Sequence, residues 1–415
     1  MKQVYSMQQS SHTPELFRFQ INFSEDQLTD LKYRLQHTQW PDDPDNQDWK
    51  YGVNGRYLKT LVNYWITSYN WREVEQQMNQ FSHYKVTIQD TPIHFIYQKS
   101  PHSTAIPILL THGWPWSFWD MHKLIAPLTN PEIYGGNSED AFDVIVPSVP
   151  GYGFSTPAPA GINFWKTADL WHILMQKILG YTHYAASGGD WGALITSQLG
   201  HKYADSLYGI HLMHTMELDQ FNTEKPWDVM ASHKTAENTP SQIRKQALNR
   251  MKVFVSHYAV HILDPQTIAY GLQDSPVGLL AWLLERWRSW AQTENGNIET
   301  AFSKEHMITN AMLYYMTGTV VSSMRFYADS AHYPWQPSHT HRPLIQAPTG
   351  ITFLGGENPS GVTTQQRVEA FKKGPKAALY NLHYINPHER GGHFGYYENP
   401  AAVIEDIRVM FRTLR

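Results

Sequence analysis

The sequence predicts an α/β protein with a mainly parallel central sheet, a helical cap inserted into it and a helical N-terminal extension. Three observations predict this. Short apolar runs alternate with helical periods from residue 106 to about 214, as in sheets built from β-α-β units. The alternation stops between 215 and 344 and returns after 345. Finally, SGGDWG (187–192) crowds small residues into a tight turn between a strand and a helix.

Each element follows in order. Residues 1 to about 80 read as helical and polar-aromatic, and in FSEDQLTDLKYRL Ser24 is placed to cap a helix with acids in its first turn. HYKVTIQDTPIHFIYQ (83–98) alternates around a turn at Asp90 to Pro92 and predicts a hairpin. IPILLTHG and FDVIVPSVPGYGFS predict buried strands, FWKTADLWHILMQKILG a helix, YTHYAASGG a strand and WGALITSQLGHKY a helix. After GIHLMH come helical stretches: PWDVM, SQIRKQALNRMKVFV, GLLAWLLERWRSWA and NAMLYYMTGTVVSSMRFY. TGITFLGG, a helix, ALYNLHYI and a last helix AAVIEDIRVMFRTL complete the sheet. The expected division is an N-terminal region 1–82, a first core part 83–214, a cap 215–344 and a second core part 345–415.

Composition narrows the function. A net charge of −4 with scattered basic residues carries no footprint for nucleic acid. The absence of cysteine excludes disulfides and thiolate chemistry. The N-terminus lacks the apolar stretch of a signal peptide, and VGLLAWLL (277–284) is too short to span a bilayer. A soluble, cytoplasmic protein without a membrane anchor is expected, its oligomeric state open, a homodimer included. Fifteen Trp, 24 Tyr and 17 Phe exceed what a core alone needs, so part of them is expected to line an apolar pocket.

Chemistry concentrates at strand ends, where a parallel sheet presents its active loops. Four such loops carry reactive groups: His112-Gly113-Trp114-Pro115, Asp190, Glu357 in GGENPSG, and His393 in RGGHFGYYENP. The turn around Asp190 has the form of G-x-S-x-G, which lifts a serine above the sheet of an α/β-hydrolase, with aspartate in the serine's place. Nucleophile, acid and histidine also follow in that fold's chain order. A serine attacking saturated carbon would make an ether and stop. A carboxylate makes an ester there, so turnover continues, and it is ionised at pH 7 because an unperturbed Asp titrates near ~3.9. His393 is then free to activate water, oriented by Glu357. The backbone N–H groups of Trp114 and Trp191 are placed to hold the oxyanion of ester hydrolysis. The substrate is therefore an epoxide or a halide. An opening epoxide develops an alkoxide and needs a strong donor such as tyrosine. The cap offers several, Tyr258 and Tyr327 among them, and counting does not choose between them.

The chain resembles the microsomal-type epoxide hydrolases, including the juvenile hormone epoxide hydrolases and soluble fungal and bacterial relatives, over nearly its whole length. FRFQINFSEDQLTDLKYRLQHTQWP, HGWPWSFWD, SGGDWG, DSPVGLLAWLLE, TGTVVSSMRFY and RGGHFGYYENP carry the resemblance. It implies an α/β-hydrolase fold with a helical cap. It places a nucleophile on Asp190, an acid on Glu357, a histidine on His393 and two epoxide-oxygen donors on Tyr258 and Tyr327. The implied reaction turns a small-molecule, apolar epoxide and water into a diol without cofactor or metal, and leaves detoxification and biosynthetic roles open. Two departures are expected: a chain without the membrane anchor of the microsomal members, and an acid loop, GGENPSG, that differs from theirs.

Other chemistries fit less well. His257 and His261 share a helix face without the Glu of H-E-x-x-H, and HERGGH (388–393) has one residue too many between its histidines. GYGFST (151–156) is no dinucleotide fingerprint, and its Tyr152 and Phe154 read as packing at the active-site rim. A haloalkane dehalogenase-like enzyme shares the aspartate turn, and Trp191 would bind its halide. A non-catalytic binding protein of the same fold would be expected to lack a catalytic residue, and none is missing.

Overall fold

The structure is a computed structural model that describes residues 15–228, 245, 252 and 256–415. Among the described residues nine strands form one sheet in the order β1-β2-β3-β5-β4-β6-β7-β8-β9. β1 (Phe17–Phe19), β2 (His83–Ile88) and β3 (Thr91–Gln98) run antiparallel at one edge, and β3 also pairs antiparallel with β5 (Phe142–Pro147). The other neighbours are parallel: β4 (Ile106–Thr111), β5, β6 (Tyr184–Gly188), β7 (Leu207–Leu212), β8 (Ile345–Leu354) and β9 (Tyr380–His388). A mainly parallel sheet is what the alternation predicted.

Burial explains why the central strands read as unbroken apolar runs. Every residue of β4 is buried, because helices cover both faces of the sheet there. Helix α6 (Trp191–Lys202), which starts at the tight turn, is buried from Trp191 to His201, so no polar stripe is left on it. The helix at FWKTADLWHILMQKILG begins as α5 (Phe164–Ile173) and closes in a π-helical turn over Leu174–Ile178.

Two local expectations need correction. The N-terminal extension holds helices α1 (Glu25–Gln36), α2 (Gly55–Thr67) and α3 (Trp71–Met78), with the expected Ser24 cap in place, but its first described element is a strand. β1 pairs Phe17 with Lys85 and Phe19 with His83. Three residues are too few to show a period, so only the available sheet edge makes FRF extended. The hairpin turn lies at Gln89 and Asp90, both at positive φ (48° and 60°), and not at Asp90 to Pro92. Those angles suit the two-residue turns that match strand twist, and Thr91 and Pro92 then belong to β3.

The cap lies between β7 and β8. Its described helices are a stretch over 256–263, α7 (Pro265–Asp274), α8 (Pro276–Trp290), α9 (Lys304–Met316) and α10 (Val320–His332). The helix expected at SQIRKQALNRMKVFV lies outside the described residues apart from 245 and 252. PWDVM is described only to Asp228, and it begins as a turn at Pro226 and Trp227. Helices α4 (His122–Thr129), α11 (Thr364–Lys373), α12 (Gly395–Glu398) and α13 (Pro400–Arg412) complete the core. Among the described residues no helix is long and apolar enough to cross a membrane.

Candidate active site

Asp190 sits between β6 and α6 with φ 54° and ψ −124°. That left-handed conformation costs a non-glycine residue about 1–3 kcal/mol and is held only by its surroundings. The neighbouring glycines make the turn fit. A side chain at Gly192 would strike the Thr111 carbonyl oxygen at 2.0 Å, and one at Gly113 would strike Asp190 Oδ1 at 2.3 Å. The strand-end loop after β4 can therefore close onto the carboxylate only through glycine.

The loops after β4, β6, β8 and β9 bring the expected groups together. Trp114 N–H donates to Asp190 Oδ1 at 2.8 Å, and Trp191 N–H, at the start of α6, bonds to the same carboxylate. His393 Nε2 stands 3.5 Å from Asp190 Oδ2, a long contact across which their charges attract. On its other side His393 Nδ1 lies 3.2 Å from Glu357 Oε1. Arg367 Nη2, on α11, donates to Glu357 Oε2 at 3.0 Å.

Charge follows from these contacts. Burial pushes the Asp190 carboxyl up, but His393 and the two backbone N–H groups outweigh it and hold it below its ordinary value. Glu357 is pushed up by burial and held far down by His214, His393 and Arg367. Burial disfavours a charged His393, yet hydrogen bonds and charges from Asp190 and Glu357 raise it to about 9. At neutral pH the site thus holds two carboxylates around an imidazolium.

The cap supplies the other two expected residues. Tyr327 on α10 packs edge-on against Trp191, with ring centroids 4.6 Å apart. Tyr258, in the 256–263 stretch, lies edge-on to Tyr327 at 5.8 Å and stacks on Phe221. Burial, and next the negative charge of Asp190, push both hydroxyls upward, so both are neutral donors at pH 7. Cap helices also grip the loop after β4. Trp287 Nε1 donates to the Pro115 carbonyl at 3.1 Å and the Tyr314 hydroxyl to the Trp116 carbonyl at 2.7 Å.

His257, His261, His388, His112 and the rim loop have structural partners. His257 stacks on Trp114 at 5.1 Å, and His261 Nε2 accepts from Trp282 Nε1 at 3.1 Å. His388 of HERGGH pairs with the buried Asp406 at 2.8 Å. Tyr152 donates to the Ser323 carbonyl, and Phe154 packs on Phe19, Phe23 and Phe118, as rim packing requires. His112 is buried, and burial lowers it to about 4, so it stays neutral while its Nε2 accepts from Val149 N–H.

Two site residues escaped sequence reasoning, Arg367 and His214. His214, just past the end of β7, accepts the Asp190 N–H at Nδ1 (2.8 Å), and its Nε2 lies 3.2 Å from Glu357 Oε1. A histidine closing a strand run, GIHLMH, at the catalytic end of a parallel sheet was the available signal. Among the described residues, His214, Glu357 and His393 are also the group whose atoms converge closely enough to hold a metal ion. In the structure those atoms are engaged with one another.

An aspartate elbow, a histidine paired to an acid and a helical cap define an α/β-hydrolase built for alkyl-ester chemistry. Known proteins agree and narrow the class. The epoxide hydrolase N-terminus family model matches residues 16–121, and the alpha/beta hydrolase fold model matches 106–334. The chain is 39% identical to a putative epoxide hydrolase of Stigmatella aurantiaca over 96% of this chain and 85% of that one. It is 31% identical to epoxide hydrolase 1 of Oryctolagus cuniculus, over 94% and 87%. The crystal structure of juvenile hormone epoxide hydrolase from Bombyx mori superposes with a TM-score of 0.75 at 28% identity, covering 97% and 94% of the two chains. The chain belongs to the microsomal-type epoxide hydrolase family.

Proposed function

We propose that this enzyme converts an epoxide to its vicinal diol through an ester on Asp190. The observation that carries the proposal is the carboxylate itself, held between the Trp114 N–H and His393, with Tyr258 and Tyr327 on the cap side. In the first step an Asp190 oxygen bonds to an epoxide carbon and the ring C–O bond breaks. The released oxygen takes a proton from the tyrosine pair, which is made good by the proton that His393 carries at pH 7. Esterification removes the negative charge of Asp190, so one of the two supports for the imidazolium is gone and His393 becomes neutral.

Neutral His393 is the base of the second step. It takes a proton from water as the water oxygen attacks the Asp190 carbonyl carbon, while Glu357 balances the returning imidazolium charge. Trp114 and Trp191 N–H hold the oxyanion. Collapse breaks the bond between carbonyl carbon and ester oxygen, and the diol leaves with the proton from His393. The Asp190 acid then returns its proton to His393, restoring the starting charges. A division at 82/83, 214/215 and 344/345 suits this scheme, with the nucleophile and histidine on core loops and the oxygen donors on the cap.

Isotope placement tests the route. With enzyme in excess over an epoxide in ¹⁸O-labelled water, the first-turnover diol should be unlabelled and the label should appear in the peptide bearing SGGDWG. Labelled diol with clean protein would make Asp190 a base for direct water attack. A halide-release assay beside a diol assay separates the dehalogenase reading, against which the two tyrosines argue. We place the enzyme in the cytoplasm with a bulky, apolar epoxide as substrate. Light scattering on the same preparation would show whether it forms a homodimer.

A further inference from the structure

The two-step scheme leaves His214 without a task. Its ring lies 4.3 Å from that of His393, and its side chain is 10% exposed. The directions of its bonds fix its chemistry. A backbone N–H can only donate, so the Asp190 N–H at 2.8 Å requires a lone pair on His214 Nδ1. A carboxylate can only accept, so the single ring proton belongs on Nε2, facing Glu357 Oε1 at 3.2 Å. The neutral Nε2–H tautomer satisfies both sides at once, and a second proton would meet the Asp190 N–H head-on.

Each bond reaches one half of the machinery. The Asp190 N–H belongs to the residue at φ 54°, and bonding to His214 ties that strained turn to the end of β7. Glu357 Oε1 is shared between His214 and His393 Nδ1, both at 3.2 Å, so His214 fixes the oxygen that orients His393. We propose that His214 is a two-sided positioning residue. Through Nδ1 it holds the nucleophile for ester formation, and through Nε2–H it holds the acid for ester hydrolysis. The proposal rests on Asp190 as nucleophile and His393 as activator of water.

Amide side chains divide the two roles. In His214→Asn the amide oxygen reaches the place of Nδ1 and nothing replaces Nε2–H. In His214→Gln the amide nitrogen reaches the place of Nε2–H and the Nδ1 acceptor is lost. Rapid-quench mass spectrometry follows growth and decay of the ester on Asp190 with a chosen aryl epoxide. His214→Asn should form ester at close to the wild-type rate and hydrolyse it roughly 10- to 100-fold more slowly. His214→Gln should show the reverse. A wild-type enzyme that never forms ester would sink the two-step route itself, a result distinct from any failure of His214. Equal slowing of both phases in both variants, or no slowing in either, would overturn the positioning role. A neutron structure of the wild-type protein at pH 7 covers variants that do not fold. It should show a deuteron on Nε2 and none on Nδ1, and a deuteron on Nδ1 refutes the proposal.

Discussion

At the residue scale, the two steps ask opposite things of His393. Ester formation draws on its proton, and hydrolysis needs it bare. Raised to about 9 by Asp190 and Glu357 against the effect of burial, the imidazolium is present below that pH and lost as pH rises through it. Ester formation should therefore hold steady to about pH 9 and then fall by up to about tenfold per unit. Once Asp190 is an ester, one carboxylate charge has gone and the His393 pKa drops. Hydrolysis should accordingly rise with pH and level off below pH 9. Rapid-quench rates across pH 5 to 10.5 would check this, and phases with a common pH profile would defeat the charge argument. Asp190, Glu357 and His393 were legible because each ends a recognisable strand run in a Gly-rich loop. His214 was not, because its one signal, a histidine closing the run GIHLMH, does not single it out among 22 histidines. Only the neighbouring strands show which one meets both a nucleophile's N–H and an acid.

At the element scale, the proposed nucleophile belongs to a core turn and the two proposed oxygen donors to separate cap elements, the 256–263 stretch and α10. Tyr327 faces Trp191 and Tyr258 faces Phe221, so each ring is seated by a different neighbour. Phenylalanine at either position keeps the ring and removes the hydroxyl. Each single change should slow ester formation, and the double variant should lose about 10²- to 10⁴-fold. Hydrolysis of ester already formed should change little, because water activation lies with His393. Full rates of ester formation in both single variants would make these packing residues and send the search elsewhere in the cap. Periodicity found the long cap helices and the buried strands. It could not find β1, whose three residues are extended because β2 offers them an open edge.

At the scale of the whole molecule, the N-terminal region braces both core and cap. Its β1 extends the sheet, and its Phe19 and Phe23 pack on Phe154 in the rim loop. The segment between β1 and α1 is pinned to α3: Phe23 N–H donates to Glu75 Oε1 at 2.9 Å, and Arg72 Nη2 to the Phe23 carbonyl at 2.7 Å. Toward the cap, Arg34 on α1 reaches Asp274 at the end of α7, and the Tyr69 hydroxyl meets Thr309 on α9. The exposed ion pair adds little by itself. The apolar contacts weigh more, since α1, α2 and α3 bury Leu31, Leu35, Leu58, Leu61, Val62, Trp65, Trp71, Val74 and Met78. Burying one such side chain is worth about 1.5–3 kcal/mol, and a few of them match the roughly 5–15 kcal/mol that holds a whole domain folded. A chain beginning at residue 83 should therefore be unstable, with an apolar cap face uncovered and β2 left as a bare edge prone to pairing with other chains. Urea unfolding and size-exclusion chromatography of residues 83–415 beside the full chain would measure this. Aggregation or early unfolding is the expected result, and a monomeric fragment with full diol-forming activity would show that the bracing is dispensable. Supplying residues 1–82 as a separate peptide should restore solubility in proportion to its binding, because the described contacts of the region cover surfaces of the core and cap.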